Sequence, residues 1–578
     1  MQATATTNNS LPIKIATFQT FTEALDYAAK GSTGMNFYSA KGELTYVLTY
    51  QALQDKAMQV ARGLIKSGIP KGSRMVLVAD TDPNFMILFA ACQYASIIPV
   101  PVAIPTVFGA HKSYVDGLKR QLMGSLATAA AAPISLLPFL KEAALNLDIK
   151  FLGSFDHFLD LPYADTDIRP FDPDETCYLQ YSSGSTRFPL GIDIHQRSLM
   201  ANAYAIANHG LCIRDGDRTT SWLPLYHDMG LVGFMLVPLL CQISIDYLTT
   251  RDFARRPLLW LSLISRHQST ISYSPSFGYD LCVRRARDLN MKDINLSSWR
   301  AAGIGGDMIQ AQILEKFVNT FAPYGFKSKA FVPSYGMAET TLAISFAPLD
   351  KGFQSINIDR EKLSQDNIAD IHQKPTSQTR DFVLCGNVLP KHSIEVRNEN
   401  GQKLGDQELG KIFVKGPSLM NGYFNQPEIT KQILSADGWL DTGDLGFLYD
   451  NQIIITGRSK DLIIINGRNI WPQDLEWAIE ELPNLRRGDV AAFSIEKEND
   501  NEEIIILLQC RLGDEEAKIK LIQDAESCVR QTTGLDAKIV LVPPHSLPQT
   551  SSGKLSRSKA KNNYLMGTYI PLKESSYA

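Results

Sequence analysis

Short strand-like segments that alternate with helical segments constrain the fold of this chain more than any other feature. The run 73–79 is short and apolar, a helical pattern covers 84–95, and the alternation continues to 150–152 and 177–180. Strands and helices at this spacing form open α/β sheets. A chain of 578 residues is also too long for one hydrophobic core. We therefore predict an α/β protein with several lobes.

The composition is ordinary for a globular protein, with 44% hydrophobic and 20% charged residues. A formal net charge of −4 gives no sign of nucleic-acid binding, so we predict no nucleic-acid partner. The eight cysteines form no C-x-x-C pair, which favours buried thiols in a reduced compartment. The N-terminus has no basic segment before an apolar run, so we expect no secretory signal and a cytoplasmic protein.

One stretch, 85–105, is apolar enough to be considered as a membrane span. It contains Gln93, Ser96 and prolines at 99, 101 and 105, which disfavour a continuous spanning helix. We predict a buried helix followed by a core strand, and no integral membrane association.

The most distinctive polar stretch is YSSGSTRFPLG (181–191), which lies between the strand-like runs 177–180 and 192–195. Five of its first six side chains carry hydroxyl groups, and its glycines allow backbone N–H groups to approach a ligand. This composition suits an oxyanion such as a nucleotide phosphate. The spacing of a Walker P-loop is absent, and a polar surface turn is the alternative on these residues alone.

Polar residues also follow later strand-like segments. YHDMG (226–230) places His227 beside Asp228 before an apolar helix, and GIGGD (303–307) again allows close backbone approach. YGMAE (335–339) offers an aromatic face for a base and, in Glu339, an oxygen ligand for Mg²⁺. We expect 335–339 to form the turn that starts a helix. A capped helix, a glycine-rich turn and a packing aromatic residue are the structural alternatives.

The second half of the chain changes in character. The polar segment 352–380 is typical of a surface insertion, and glycine-punctuated strands beyond it predict a small antiparallel sheet or barrel. DTGD (441–444) is predicted to lie on a turn, where Asp444 can accept hydrogen bonds from a ribose diol or can serve as scaffolding. The segment 457–461 predicts a domain junction.

Beyond the junction we predict a compact unit with helices over 473–481 and 514–533 and strands over 489–494, 503–510 and 538–542. Its end, PQTSSGKLSR (548–557), presents Lys554 on a loop. A loop lysine is most often a solvated surface charge, and these residues alone leave that alternative open.

Together the motifs resemble those of the adenylate-forming superfamily of acyl-CoA synthetases, nonribosomal-peptide adenylation domains and luciferases. The resemblance covers about 21–557 and includes GRSKDLIIINGRNIWPQDLE (457–476). Within the superfamily the chain looks most like the fatty acyl-AMP ligases, because it has a Gly-Ser-Thr-Arg phosphate loop, the NGRNIWPQDLE ending and the extra segment 352–380. It departs from the pattern at Leu190, where the superfamily usually has a lysine.

The resemblance implies a large N-terminal adenylating domain over 1–457, made of two open α/β sheet subdomains and a small β-barrel-like subdomain. The inserted segment 352–380 would belong to it. A hinge over 458–460, with Lys460 as the hinge residue, would lead to a small mobile α+β lid domain over 461–578 that carries the catalytic lysine.

The implied reaction is the activation of a medium- or long-chain fatty acid by ATP and Mg²⁺ to an acyl-adenylate, with release of pyrophosphate. Lys554 would bridge the carboxylate and the α-phosphate, Glu339 would hold Mg²⁺, and His227 would line the carboxylate end of the acyl site. The residues that would bind the nucleotide are Ser182, Ser183, Gly184, Ser185, Thr186, Gly305, Gly306, Asp307, Ser334, Tyr335, Gly336, Met337, Asp444 and Arg458.

The helix after Gly230, with Phe277 and Tyr279, would form the wall of the acyl tunnel. The acceptor would be the phosphopantetheine thiol of an acyl carrier protein, as in polyketide or lipopeptide biosynthesis. An acyl-CoA synthetase is the first alternative. A catalytically silent nucleotide- or lipid-binding protein, which Leu190 invites, is the second. The sequence leaves the chain length, the carrier protein and the oligomeric state open.

The hinge assignment gives a first prediction. Lys460→Pro is expected to spare adenylation and to impair acyl transfer, because proline restricts the backbone rotation that would carry the lid between the two steps. Pyrophosphate exchange and thioester formation, measured separately and compared with Lys460→Ala, test this expectation. An equal loss of both half-reactions would contradict the hinge role.

Overall fold

The computed structural model describes residues 11–105, 111–163, 165–181, 189–286, 293–376, 378–465, 468–496, 502–550 and 554–575. The first part of the chain, up to the hydroxyl-rich loop, alternates strands and helices as predicted. Its elements are α1 (Phe21–Ala28), β1 (Gly34–Tyr38), β2 (Leu44–Thr49), α2 (Tyr50–Lys66), β3 (Arg74–Val78), α3 (Pro83–Tyr94), β4 (Ile98–Val102), α4 (His111–Gly124), β5 (Ala129–Ala132), α5 (Leu137–Ala143), β6 (Phe151–Ser154), α6 (Phe155–Leu159) and β7 (Thr176–Tyr181).

The next part contains the strands whose ends surround the main cavity. Its elements are β8 (Gly191–His195), α7 (Gln196–Ala205), β9 (Arg218–Ser221), α8 (Asp228–Leu231), α9 (Val237–Leu240), β10 (Ser244–Leu248), α10 (Thr250–Arg255), α11 (Leu258–His267), β11 (Ile271–Ser274), α12 (Ser276–Ala286), β12 (Ala301–Ile304), α13 (Ala311–Phe321), β13 (Phe331–Gly336) and β14 (Ala343–Phe346).

The remaining elements of the larger part are mostly antiparallel. They are β15 (Ser355–Asp359), α14 (Arg360–Gln365), β16 (Ile371–His372), β17 (Thr379–Val383), β18 (Asn387–Val388), β19 (Ser393–Arg397), β20 (Gly410–Lys415), β21 (Gly422–Tyr423), α15 (Pro427–Ile433), β22 (Leu440–Tyr449) and β23 (Gln452–Arg458). The C-terminal elements are β24 (Ile463–Ile465), β25 (Arg468–Ile470), α16 (Pro472–Glu480), β26 (Val490–Glu496), β27 (Glu502–Gln509), α17 (Glu515–Thr533), β28 (Ala537–Val542), α18 (Arg557–Leu565) and β29 (Lys573–Glu574).

Two open sheets organise the larger part. One is parallel, in the order β4-β3-β5-β6. The other sheet contains the parallel strands β13-β12-β11-β9-β10-β1. Beyond β13 the same sheet continues with the antiparallel strands β14, β18, β23, β22, β20 and β19. The small antiparallel sheet predicted from the glycine-punctuated strands is therefore joined to the second open sheet by hydrogen bonds. The predicted fold class, α/β with a smaller C-terminal unit, is confirmed.

The apolar stretch 85–105 forms the buried helix α3 and the buried strand β4, as predicted. Asp82 caps the helix by accepting a hydrogen bond from the backbone N–H of Asn84. Pro83 occupies the first turn of the helix, where a missing backbone N–H group costs no hydrogen bond. Within the described ranges, no helix combines the length and apolar character that crossing a membrane requires.

The residues beyond the junction have hydrophobic cores of their own. One lies between α16, α17 and one face of the sheet β26-β27-β28, and the other lies under α18 on the opposite face. The helices and strands predicted here are confirmed. The domain limits 1–457, 458–460 and 461–578 stay predictions.

Two local predictions are wrong. The segment 335–339 does not start a helix: a single 3₁₀ turn, Ala338–Thr340, leads into β14, which returns antiparallel to β13. Gly336 permits this tight return, because a Cβ there would lie 1.8 Å from the Leu342 carbonyl oxygen. DTGD lies within strand β22 and not on a turn. Gly443, at φ +69°, distorts the strand locally, and such an irregular strand has the composition of a turn.

The inserted segment 352–380 carries a sheet of its own, β16-β15-β17, with α14 beside it. It also contacts the C-terminal unit. Arg380 donates from Nη1 to Asp474 Oδ2 at 2.9 Å, and Asn469 donates to Asn367 Oδ1 at 2.8 Å. The Arg380 guanidinium lies over the rings of Phe382 and Trp471. The insertion therefore joins the two parts of the protein.

Candidate active site

A cavity of about 1010 Å³ lies between the larger part and the C-terminal unit. The carboxyl ends of β11, β12 and β13 contribute to its lining, and this is the edge at which open α/β sheets bind ligands. The structure brings most of the predicted site residues that it describes to this cavity. Those lining the cavity are His227, Gly305, Gly306, Asp307, Ser334, Tyr335, Gly336, Met337, Glu339, Asp444, Arg458, Lys460 and Lys554. Ser182, Ser183, Gly184, Ser185 and Thr186 lie outside the described residues.

One end of the cavity combines an aromatic ring, a carboxylate and a guanidinium. The Tyr335 hydroxyl donates to Asp444 Oδ2 at 2.6 Å. Arg458 is the cross-strand partner of Asp444, and its Nε lies 3.6 Å from Asp444 Oδ1. Burial raises the pKa of the Asp444 carboxyl, an effect that Arg458 partly opposes. The group can accept hydrogen bonds from a diol while the ring of Tyr335 faces a base.

The glycine-rich turn after β12 forms a second wall of this end. A Cβ on Gly305 would lie 2.8 Å from the Ser334 carbonyl oxygen, so only glycine lets the two strand ends approach this closely. Gly306 has φ +77°, which also favours glycine. Asp307 is exposed and accepts a hydrogen bond from the backbone N–H of Met308 at 2.8 Å. A flat ligand can therefore lie against the backbone here.

Glu339 occupies the 3₁₀ turn after β13. The Tyr423 hydroxyl donates to its Oε1 at 2.9 Å, and burial raises the pKa of its carboxyl. Across the residues with described positions, no cluster of three or more His, Cys, Asp or Glu side chains could hold a metal ion. One carboxylate facing a cavity fits Mg²⁺ that is bound mainly by substrate phosphates and water.

His227 and Asp228 lie at the start of α8. His227 Nδ1 lies 2.6 Å from Asp228 Oδ1, which also accepts a hydrogen bond from the backbone N–H of Met229 at 2.7 Å. Burial works to raise the pKa of the Asp228 carboxyl, but His227, this N–H group and Lys554 outweigh it, so the pKa is lowered. Asp228 therefore acts both as a first-turn acid and as the group that orients the imidazole.

Lys554 reaches the cavity from the C-terminal unit. Its Nζ donates a hydrogen bond to the Gly306 carbonyl oxygen. Its positive charge contributes to the lowered pKa of Asp228 and opposes the burial that raises the pKa of Asp444. The lysine therefore lies close enough to both Asp228 and Asp444 to act on them electrostatically. A reacting group near these carboxylates would be within reach of an ammonium ion.

Part of the cavity lining consists of apolar side chains, and we call this part the apolar branch. Phe277 lines the cavity as predicted, but Tyr279 does not. Tyr279 is fully buried in an aromatic cluster with Trp260 and Trp299, where its hydroxyl donates to the Gly303 carbonyl oxygen at 2.8 Å. It faces the opposite side of α12 because helical residues two positions apart point in different directions.

Several lining residues were not predicted from the sequence. In the apolar branch these are Ile206, Leu211, Gly233, Phe234, Tyr273, Leu342 and Phe346. Two of them, Gly233 and Phe234, lie in a π-helical turn, Val232–Leu236, a rare element that is frequent at functional sites. Tyr423 and Arg487 also line the cavity, and no local sequence signal marks either residue. Leu190, in place of the usual lysine, is part of the lining.

The fold and this cavity define an enzyme of the adenylate-forming class, and comparison with known proteins agrees. A family model described as AMP-binding enzyme matches residues 35–424. The chain therefore belongs to the AMP-binding family and is an adenylate-forming ligase.

Similar proteins cover nearly the whole chain. A "Putative acyl-CoA synthetase" of Caulobacter vibrioides is 49% identical, over 96% of this chain and 97% of its own. The medium-chain-fatty-acid–[acyl-carrier-protein] ligase JamA of Moorena producens is 30% identical, over 95% and 96%. A solved structure from work on fatty acyl-adenylate ligases of E. coli and L. pneumophila has a TM-score of 0.92 and 44% identity, over 96% of this chain and 100% of its own.

The position of Lys554 gives a second prediction. Lys554→Ala should lower the adenylation rate by about 100-fold or more, because a charge aimed at the reacting phosphate is removed. Pyrophosphate exchange measures this rate, and Lys559→Ala, at an exposed lysine of α18, is the matched control. Near-normal exchange in Lys554→Ala would refute the catalytic assignment.

Proposed function

We propose that this protein activates a medium- or long-chain fatty acid with ATP and passes the acyl group to an acyl carrier protein. The observation that carries the proposal is the convergence of Lys554 from the C-terminal unit with Tyr335, Asp444 and His227 in one cavity that also has an apolar branch. A nucleotide would contact the Tyr335 and Asp444 end, a carboxylate would contact His227, and an alkyl chain would contact the apolar branch.

The chemical step joins two anions. A carboxylate oxygen of the fatty acid attacks the α-phosphorus of ATP, the bond from that phosphorus to the β-bridging oxygen breaks, and pyrophosphate leaves. Lys554 would lie between the carboxylate and the α-phosphate and stabilise the charge that develops there. Holding both reactants in the cavity removes much of the entropic cost of their encounter.

The remaining groups would orient the reactants. Asp444, with Arg458 beside it, would accept hydrogen bonds from both ribose hydroxyls, and adenine would lie between Tyr335 and the Gly305–Asp307 backbone. Ser182–Thr186 would hold the β- and γ-phosphates through hydroxyl and N–H groups. Glu339 would hold Mg²⁺, which neutralises phosphate charge when it is bound.

His227 would direct the carboxylate of the acid. Asp228 holds its Nδ1, so the Nε2 atom remains to face the substrate. An imidazole oriented in this way can donate a hydrogen bond to a carboxylate oxygen. The apolar branch lined by Phe234, Tyr273 and Phe346 would take the alkyl chain, whose burial favours binding by about 0.8 kcal/mol for each CH₂.

Two observations support a carrier protein as the acceptor. JamA, a relative similar along its whole length, is named for transfer to acyl carrier protein. The insertion also contacts the C-terminal unit through Arg380–Asp474 and Asn367–Asn469, and these contacts would oppose the lid rotation that reaction with CoA requires. The name of the Caulobacter relative favours the second candidate, an acyl-CoA synthetase.

We also propose a cytoplasmic location. All eight cysteines lie in described positions, each is a free thiol, and six are buried. Free thiols are usual in a reducing compartment.

Fatty-acid-dependent pyrophosphate exchange across a series of chain lengths tests the adenylation step. We expect exchange with medium- or long-chain acids and little with acetate, because short acids leave the apolar branch unfilled. Acyl transfer is then measured with a phosphopantetheinylated carrier protein and, separately, with CoA. If none of the fatty acids in the series supports pyrophosphate exchange, the proposed substrate is wrong. A higher rate of acyl transfer to CoA than to carrier proteins would establish the second candidate.

The insertion contacts generate a further prediction. The double variant Asn469→Ala/Asp474→Ala should raise acyl-CoA formation several-fold and leave pyrophosphate exchange within about 2-fold, because the contacts to Asn367 and Arg380 are lost. The matched control is Asn84→Ala/Asp174→Ala, which removes the Asn84–Asp156 and Arg197–Asp174 contacts within the larger part. Unchanged acyl-CoA formation would show that these contacts do not restrain the lid.

A further inference from the structure

The lysine motif ends at Arg557, the first residue of α18, and the reaction proposed above gives this arginine no role. We propose that Arg557 is a positioning residue for Lys554: it ties the exit of the lysine loop to the residue that follows the hinge and to helix α16. The inference rests on the catalytic role proposed for Lys554.

The Arg557 guanidinium is held from two sides. Its Nε and Nη2 donate to the two carboxylate oxygens of Glu476 at 2.8 and 2.6 Å, and its Nη1 donates to Asp461 Oδ2 at 3.0 Å. A bidentate pair fixes the plane of the guanidinium as well as its position. Glu476 is only 6% exposed and Arg557 only 17%, so solvent screens the cluster weakly.

Each carboxylate belongs to a different element of the C-terminal unit. Asp461 is in the 3₁₀ turn Ser459–Asp461, which follows Arg458 of β23. Glu476 lies in α16, and its Oε1 also accepts a hydrogen bond from the backbone N–H of Ala492 in β26, at 3.1 Å. Arg557 therefore links the start of the lid, its first helix and its sheet at one point.

The lysine loop is closed by its own hydrogen bonds. The Thr550 N–H donates to the Lys554 carbonyl oxygen at 2.7 Å, and the Ser556 N–H donates to the Pro548 carbonyl oxygen at 2.9 Å. These bonds join described residues on the two sides of the loop, and Leu547 and Leu555 pack against the core under α18. Arg557, one residue beyond Ser556, would add the polar contacts that set the orientation of the loop in the lid.

The consequence concerns the distance between the lysine and the reacting phosphate. Lys554 lies three residues from Arg557, so a small shift at Arg557 displaces the ammonium by a comparable amount. A misplacement of about 1 Å in a catalytic group can cost on the order of 100-fold in rate. The three-residue cluster thus couples the orientation of the lid to the position of its charge.

The variant Arg557→Lys keeps the charge but loses the bidentate geometry. We expect kcat for pyrophosphate exchange to fall by about 10- to 100-fold, with KM for ATP changed by less than about 2-fold. The matched control is Arg511→Lys, because Arg511 is bidentate with Asp489 in the same unit, at 2.5 and 3.0 Å, and does not line the cavity. Thermal unfolding shows whether both variants are folded, and the control should retain its kcat.

Measuring the effect of Arg557→Lys on kcat in the Lys554→Ala variant distinguishes positioning of the lysine from general stabilisation of the fold. If Arg557 acts through Lys554, then Arg557→Lys should cost less than about 2-fold when it is added to Lys554→Ala. An equal loss in both backgrounds, a retained kcat in Arg557→Lys or an equal loss in Arg511→Lys would overturn the proposal.

A readout that needs no substrate keeps the test independent of the proposed function. The Lys554 amine should react faster with an amine-acylating reagent in Arg557→Lys than in the wild type or Arg511→Lys, as measured by mass spectrometry. Unchanged labelling would overturn the inference about Arg557. Absent exchange in the wild type, together with altered labelling, would contradict only the proposed substrate.

Discussion

The site depends on the placement of like charges in one cavity between the larger part and the C-terminal unit. Asp444 is buried and Glu339 is partly buried, and burial raises the pKa of each carboxyl group. ATP and a fatty carboxylate would add further negative charge to the same space, where Coulomb repulsion is stronger than in bulk water. Arg458, Lys460 and Lys554 are among the cations that oppose this repulsion, and Lys554 comes from another part of the chain.

The architecture follows from this requirement. The strand ends of the second open sheet supply a rigid half of the cavity, where glycines let backbone atoms approach the ligand closely. The other half is a unit with its own hydrophobic cores, so the proposed rotation of this unit would carry its charge in and out without disturbing the sheet. A lysine fixed to the rigid half would stay against the product after the reaction, whereas a lysine on a rotating unit would leave.

Much of this organisation could be predicted from the sequence, and the failures have local physical causes. Helices such as α16 and α17 were predicted because an amphipathic period is a property of neighbouring residues. DTGD was misplaced because a glycine-distorted strand and a turn share a composition. The contact between Arg380 and Asp474 joins residues 94 positions apart, and no periodicity marks it. No periodicity marks Arg487 either, although it donates a hydrogen bond across the cavity to Gln310 Oε1.

The negative charge in the cavity would also set the order of substrate binding, pyrophosphate release and lid rotation. The attraction between the lid and the site grows with the negative charge that the cavity holds, so ATP and the acid would favour the arrangement in which Lys554 reaches Gly306. Departure of pyrophosphate would remove most of that charge and leave an adenylate with a single phosphate. The lysine would then be held less strongly, and the lid would be free to rotate at the stage when, in the proposed reaction, a thiol must reach the acyl carbon. The insertion contacts would set how far that rotation goes, since they act through hydrogen bonds that do not depend on the nucleotide.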